Sequence, residues 1–215
     1  MPVLFVASSN PGKIAEVQLG VRLWQTAGAP WTVEPIPRFT RLPACVEDDL
    51  TFADNARKKA LHYSRFTDGL VVADDSGLEV DALRGAPGIK SHRFAGPDAT
   101  DADNNAKLLT LLGAVPPAKR TARFVCELAL ARRGELLAQF RGVAEGLILS
   151  APRGEGGFGY DPLFLDSETE KTFAVLSPEE KLARSHRGRA LRALLDWLAV
   201  QSSQGARSAR AGGDE

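Results

Sequence analysis

The sequence predicts an α/β fold built on a mixed β-sheet. Two observations carry this. In the first half, short β-type runs alternate with segments whose apolar residues recur at helical spacing, and in the second half two long β-type segments adjoin a tight turn. Parallel strands need crossovers while a hairpin makes antiparallel neighbours, so both pairings belong in one sheet. The chain has 215 residues, 44% hydrophobic and 25% charged, which suits one large globular domain and excludes collagen, coiled coil and disorder as its main character.

From the N-terminus, residues 3–6 form a β-type run that enters the polar turn Ala7-Ser8-Ser9-Asn10-Pro11-Gly12-Lys13. Ile14, Val17, Val21 and Trp24 then mark a helix, with Asn10 suited to the N-cap, Pro11 to the first helical position and an expected stop near Gly28. Residues 32–36 read as a second strand, and a loop through Pro37 and Pro43 reaches the acidic group Glu47, Asp48 and Asp49. Thr51 and Asp54 form a capping box for a helix marked by Phe52, Ala56, Ala60 and Tyr63, which carries Lys58 and Lys59 and runs to about Phe66.

Residues 69–74 are a compact apolar run, read as a buried strand delivering Asp74 and Asp75 to a turn at 74–77, with a short strand at 78–80. Gly85-Ala86-Pro87-Gly88 is loop, and Thr100 with Asp103 caps a helix reaching about Leu112. Residues 122–149 read as a hairpin turning at Arg133-Gly134. A glycine-rich loop follows at 154–161, then a short strand beginning at Phe164 and Leu165. Ser177-Pro178-Glu179-Glu180 is a capping box with Pro at the first helical position, and the helix restarts near Ser185 to run to about Gln201. Residues 1–200 are thus expected as a single domain, with 201–215, rich in Ser, Gly, Ala and Arg, as a flexible tail.

Charge and cysteine usage narrow the function. Lys plus Arg and Asp plus Glu each number 27, so the formal net charge is zero and no basic excess marks a protein that coats nucleic acid. Cys45 and Cys126 match no metal-ligand spacing and supply no disulfide framework. The apolar run at 3–7 is too short for a signal segment, and no stretch of about 18 apolar residues occurs. A cytoplasmic, unanchored protein is expected.

Four constellations bear on chemistry. The Ser8 to Lys13 turn joins a strand to a helix N-terminus, where free N–H groups and the helix dipole suit phosphate; taken alone it serves equally as a capped βα turn. It is no Walker loop, since Ala7 and Ile14 stand where that motif needs Gly and Ser or Thr. Asp74-Asp75-Ser76, with Glu47 to Asp49, offers carboxylates that can hold magnesium with substrate phosphates or take a proton from water, or else simply shape a turn. Gly154-Glu155-Gly156-Gly157-Phe158-Gly159 satisfies G-x-G-x-x-G, but Tyr160-Asp161-Pro162 follow instead of a helix, so a dinucleotide site is rejected. That loop presents an aromatic face and a carboxylate to a base, or packs at the edge of the core. Lys181 and Ser185-His186-Arg187-Gly188 gather donors that favour a carbonyl oxygen or phosphate, or form a solvated basic stretch. His62 and His92 read as structural or surface residues.

In order, S-S-N-P-G-K, A-D-D-S-G-L, G-A-P-G-I-K-S-H-R, G-G-F-G-Y-D-P and S-H-R-G-R-A-L resemble the inosine triphosphate pyrophosphatase family over nearly the whole chain, about residues 3–198. The resemblance implies a magnesium-dependent hydrolase that cuts ITP, dITP or XTP between the α and β phosphates. It also implies an elongated mixed sheet flanked by helices, two lobes around a central nucleotide-binding cleft, and a homodimer. Carried over by motif, Ser8, Ser9, Asn10, Pro11, Gly12 and Lys13 would hold the triphosphate, with Lys59 reaching in. Glu47 and Asp75 would be the magnesium and water-activating carboxylates, Asp75 being catalytic, and Ser76 would touch substrate. Phe158 would stack on the base while Gly159, Tyr160 and Asp161 bound its edge, and Lys181, His186 and Arg187 would read its six-position oxygen. The Ser-Pro-Arg-Arg opening of the sibling Maf-type enzymes is absent, against activity on modified pyrimidines.

Overall fold

The computed structural model describes residues 2–25 and 31–211. Its centre is a six-stranded sheet in the order β2-β1-β3-β4-β5-β6. β1 (Val3–Val6) pairs in parallel with both β2 (Thr32–Pro35) and β3 (Leu70–Val80). β4 (Thr121–Arg132), β5 (Glu135–Ile148) and β6 (Phe164–Asp166) extend it antiparallel from β3. The parallel half needs crossovers, and α1 (Pro11–Trp24) and α2 (Phe52–Tyr63) supply them; the antiparallel half needs only a tight turn. Arg133 and Gly134 both take positive φ (51° and 81°), the two-residue hairpin turn whose twist matches the strands it joins.

Asn10 caps α1 by accepting the Lys13 N–H at 3.1 Å, and Pro11 opens the helix as expected. The expected stop near Gly28 lies outside the described residues; α1 as described ends at Trp24. α2 begins at the Thr51 cap, but the box is incomplete. The Asp54 carboxylate takes the Thr51 hydroxyl (2.7 Å) and Arg57 instead of the cap N–H, and a 3₁₀ turn, Ser64–Phe66, finishes the segment. α3 (Asp101–Leu111) and α4 (Pro178–Arg184) have complete capping boxes. α5 (His186–Ala211) passes the expected end at Gln201; residues 202–211 hold no proline, and Ala and Arg make up half of them against three Ser and one Gly.

One expectation is corrected. β3 does not break into strand, turn and strand at 74–77: it runs unbroken from Leu70 to Val80, with residues 71–80 in continuous register against residues 131–122 of β4. Ladder pairing along its whole length overrides the local turn preference of Asp-Ser-Gly.

Two apolar clusters lie along the sheet with a polar band between them. In the first, Ala190, Leu191, Leu194, Leu195 and Leu198 form one stripe of α5 and pack with Val17 and Val21 of α1 on Leu4, Val6, Val72, Leu128 and Leu130. In the second, Leu108 and Leu112 of α3 meet Leu78, Val80, Phe124, Phe164 and Phe173. The opposite face is covered by α2, whose Ala56, Ala60 and Tyr63 sit on Val71, Ala73, Ala129 and Ala131.

The close seat of α5 depends on Gly142. A Cβ there would collide with the His186 carbonyl oxygen and lie 2.6 Å from the Ala190 nitrogen, and neither backbone atom can move without lifting the helix. Gly142→Ala is expected to destabilise the fold by roughly 2–3 kcal/mol, as overpacking does, read as a lowered denaturant midpoint at constant slope. An unchanged midpoint contradicts this packing.

Candidate active site

The site exists because β1 is short. It ends at Val6, while β3 continues, so beyond Val72 the edge of β3 has no strand beside it, and the turn after β1 opens there instead. This is the crevice outside the carboxyl ends of parallel strands where α/β sheets commonly place ligands. A cleft of about 700 Å³ fills the gap. Ser8, Ser9, Asn10 and Lys13 line it from the turn, Glu47 and Lys59 from the α2 side, Asp75 and Ser76 from β3, Phe158, Gly159, Tyr160 and Asp161 from the glycine-rich loop, and Lys181, His186 and Arg187 from α4 and α5. Pro11 and Gly12 lie behind this wall. Gly12 seats the Phe158 ring, whose Cδ1 would be 2.5 Å from any added Cβ.

Successive strand residues face opposite ways, so Asp74 and Asp75 enter different environments. Asp74 meets cations. Arg187 Nε donates to its Oδ2 at 2.9 Å and Lys13 Nζ pairs with Oδ1; Ser76 Oγ and Cys126 Sγ donate at 3.0 and 3.1 Å. Burial alone would raise its pKa, but Arg187 and Lys13 outweigh it and hold the carboxyl well below the ordinary range. The chain of charges continues away from the strand. Arg187 Nη1 reaches Glu16 at 2.5 Å, Glu16 reaches Lys181 Nζ at 2.7 Å, and Lys181 reaches Asp161 at 2.5 Å.

Asp75 has no such partner. Its Oδ1 accepts the Ser76 N–H at 3.2 Å, while Oδ2 is buried with no hydrogen-bond partner among the described residues. Burial pushes its pKa up to about 6 against the pull of Lys59 and Lys13, with Asp74 and Glu47 adding to the rise. Lys59 Nζ bridges the Glu47 carboxylate (2.7 Å) and the Asp74 carbonyl (3.0 Å), and Glu47 leads the charges that keep it protonated despite burial.

Glu47 rides on a strap laid along α2. Alternate strap residues meet the helix: the Pro43 carbonyl on His62 Nε2 (2.8 Å), the Cys45 N–H on the Tyr63 hydroxyl (3.2 Å), Glu47 on Lys59, and the Asp49 N–H on Asn55 Oδ1 (3.1 Å). His62 is therefore structural, as its spacing suggested, whereas His92 borders the cleft.

Beside the Phe158 ring, Lys181 Nζ lies 4.5 Å from its centroid and the Arg187 guanidinium 5.7 Å from it. Asp161 accepts the Phe158 N–H at 2.9 Å. The His186 ring stacks on Phe124 at 4.7 Å, and burial, with Arg187 and Lys181 nearby, lowers its pKa well below the usual histidine value, so the imidazole is neutral at neutral pH.

A Ham1 family profile matches residues 4–197. The chain belongs to the Ham1 family. It is 49% identical over 195 residues to the dITP/XTP pyrophosphatase of Desulforamulus reducens, covering 91% of this chain and 94% of that one. The dITP/XTP pyrophosphatase of Geobacter sulfurreducens is 47% identical, covering 94% and 98%. Among solved structures, a HAM1 protein from Coxiella burnetii superposes with a TM-score of 0.80 at 40% identity, covering 93% of this chain and 99% of that one. The mixed sheet with flanking helices is the Ham1 architecture.

Sequence reasoning missed Glu16, Asn55 and the weight carried by Asp74. Glu16 stands three residues after Lys13, on the same helix face, and that spacing was the available signal. Nothing in the sequence pointed to Asn55.

The raised pKa of Asp75 has a consequence for stability. A folded value above the unfolded one favours the protonated native state, so this extra stability is present below about pH 4 and is lost as pH rises through about 6. Asp75→Asn, uncharged throughout, is expected to raise the unfolding free energy at pH 8 in magnesium-free buffer, by up to about 3 kcal/mol, and to change it little at pH 3.5. A loss of stability at pH 8 contradicts the assignment.

Proposed function

We propose that the protein hydrolyses the non-standard purine nucleoside triphosphates ITP, dITP and XTP to the monophosphate and pyrophosphate, removing them from the nucleotide pool. The observation that carries this reading is the polarity of the cleft. Lys13, Lys59, Glu47 and Asp75 supply cations and carboxylates, and Phe158 with the donors of Lys181 and Arg187 adds an aromatic face and N–H groups to the same cleft. The relatives named dITP/XTP pyrophosphatase, at 47–49% identity, support it.

The carboxylates fit magnesium bound together with substrate. Asp75 Oδ2 is buried and unpartnered, Glu47 lies on the neighbouring Lys59, and among the described residues no group of three or more His, Cys, Asp or Glu forms a closed cage. Magnesium accepts one or two carboxylates and takes its remaining ligands from phosphate and water. When bound it would offset phosphate charge and polarise the reacting phosphoryl oxygen. The protein's own residues do the rest. Ser8, Ser9, Asn10 and the positive end of α1 receive the phosphates, and Lys13 and Lys59 balance charge on the leaving pyrophosphate. Asp75 takes the proton from water as its oxygen bonds the α-phosphorus and the bridging oxygen departs with the β-phosphate.

The base is selected by donors. Phe158 stacks on it, and Lys181 and Arg187 retain N–H groups beyond those spent in ion pairs, with the His186 ring beside them. A six-oxo purine accepts from these groups, whereas the six-amino group of adenine leaves them unmet at about 1–3 kcal/mol each. A homodimer acting in the cytoplasm belongs to the same proposal, and sedimentation velocity separates it from a 23.1 kDa monomer.

Incubation with ITP, XTP, dITP, ATP and a modified pyrimidine triphosphate, with and without magnesium, is expected to release pyrophosphate from the first three only, and only with magnesium. Orthophosphate release, or tight ITP binding without turnover, contradicts the reading. Asp75→Asn should lose ~10²–10⁴-fold in kcat while remaining folded; near wild-type turnover removes Asp75 from the chemistry.

A further inference from the structure

The first turn of α3 brings Asp101 to the lining of the cleft, and together with Asn105 it grips the loop that carries Phe158. Asp101 Oδ2 accepts the Gly159 N–H at 2.7 Å, and Asn105 Nδ2 donates to the Gly159 carbonyl at 2.8 Å. Both backbone groups of one loop residue, directly after Phe158, are therefore held from α3. Gly159 has φ +63°, so its peptide groups are turned out of any regular ladder and depend on such partners.

The neighbouring Asn104 provides a contrast. Its amide is fully matched: Nδ2 donates to the His92 carbonyl at 3.1 Å and Oδ1 accepts the Ala95 N–H at 2.8 Å, a buried bracket of purely structural kind. Asn105 is not matched. Its Nδ2 also donates to the Asp101 carbonyl at 2.8 Å, so both amide partners are acceptors, which fixes the amide orientation and leaves Oδ1 buried without a donor among the described residues. A side chain that keeps an unmet acceptor while gripping one loop residue is not arranged for stability alone.

We propose that Asp101 and Asn105 are specificity-positioning residues, which hold both backbone groups of Gly159 and thereby fix Phe158 against the donors that read the base. This rests on the base-reading role given above to Phe158, Lys181 and Arg187. Neither residue is needed to build α3, whose N-terminus is closed by Thr100 and Asp103.

The test compares Asp101→Ala, Asn105→Ala, Asp101→Asn and Asn104→Ala with wild type in full-length protein. Cleavage of ITP and ATP gives KM and kcat, calorimetry gives the affinity for IMP, and denaturation gives stability. Asp101→Ala and Asn105→Ala are expected to raise KM for ITP and the Kd for IMP about tenfold, the scale of one lost hydrogen bond. They should lower the preference for ITP over ATP several-fold and keep kcat within about threefold. Asn105→Ala should change the unfolding midpoint little, since removing the unmet acceptor offsets the Gly159 carbonyl left unpaired; Asp101→Asn, which keeps an acceptor, should restore near wild-type KM. Asn104→Ala should lose stability. Unchanged KM and preference in Asp101→Ala and Asn105→Ala, or losses that follow the unfolding midpoint, overturn the proposal and leave the function standing. A wild-type enzyme without preference for ITP overturns both.

Discussion

The structure turns on a line of six buried or half-buried charges of alternating sign, Lys13, Asp74, Arg187, Glu16, Lys181 and Asp161. It runs from Lys13, just after the turn that follows β1, past β3, to the loop that carries Phe158, and it draws on α1, β3, α5 and α4. Arg187 and Asp74 are almost wholly enclosed, with side-chain exposures of 1% and 4%. Buried ion pairs gain little over apolar packing because desolvation offsets their attraction, but removing one partner typically costs about 3–5 kcal/mol. Such a line specifies geometry more than it adds stability. It explains why a polar band separates two apolar clusters that would otherwise merge into one core.

The same line makes two adjacent carboxylates chemically distinct. Asp74 is surrounded by donors and stays ionised; Asp75, one residue on and facing the other way, has an unpartnered oxygen and a pKa near 6. Environments that push two neighbouring acids apart are the usual mark of divided labour, and the proposed function assigns Asp74 as the anchor and Asp75 as the proton acceptor. That division needs β3 to be a continuous strand, since in a turn both side chains could face the same way. It also needs β1 to stop at Val6, so that the edge of β3 is open to substrate.

Much of this was legible in the sequence because the signals were local. The Asn10 cap with Pro11, the boxes at Thr100 and Ser177, and the Arg133-Gly134 turn each depend on residues within a few positions, and each element starts where they place it. The clefted site was legible through five separated motifs, and most of the residues they name line one cavity. The misreadings share a cause. Asp-Ser-Gly is a turn by local preference and becomes strand only because β4 pairs along it, a contact some fifty residues distant. Glu16 looks like an ordinary helix-surface acid until Lys181 and Arg187 arrive from the other end of the chain. Asn55 and Asn105 act on backbone groups, which carry no residue-type signal at all.

Glu16 offers the most direct test, because it lies outside the cleft lining and influences substrate only through the two cations it joins. Unfolding free energy and the ITP-to-ATP ratio of kcat/KM should be measured together for Glu16→Gln, which keeps the shape and removes the charge. A positional role for the charge line predicts a loss of about 3–5 kcal/mol in stability and a collapse of base preference in whatever protein remains folded. Wild-type stability with wild-type preference would show that the line of charges does not hold the two ends of the site together.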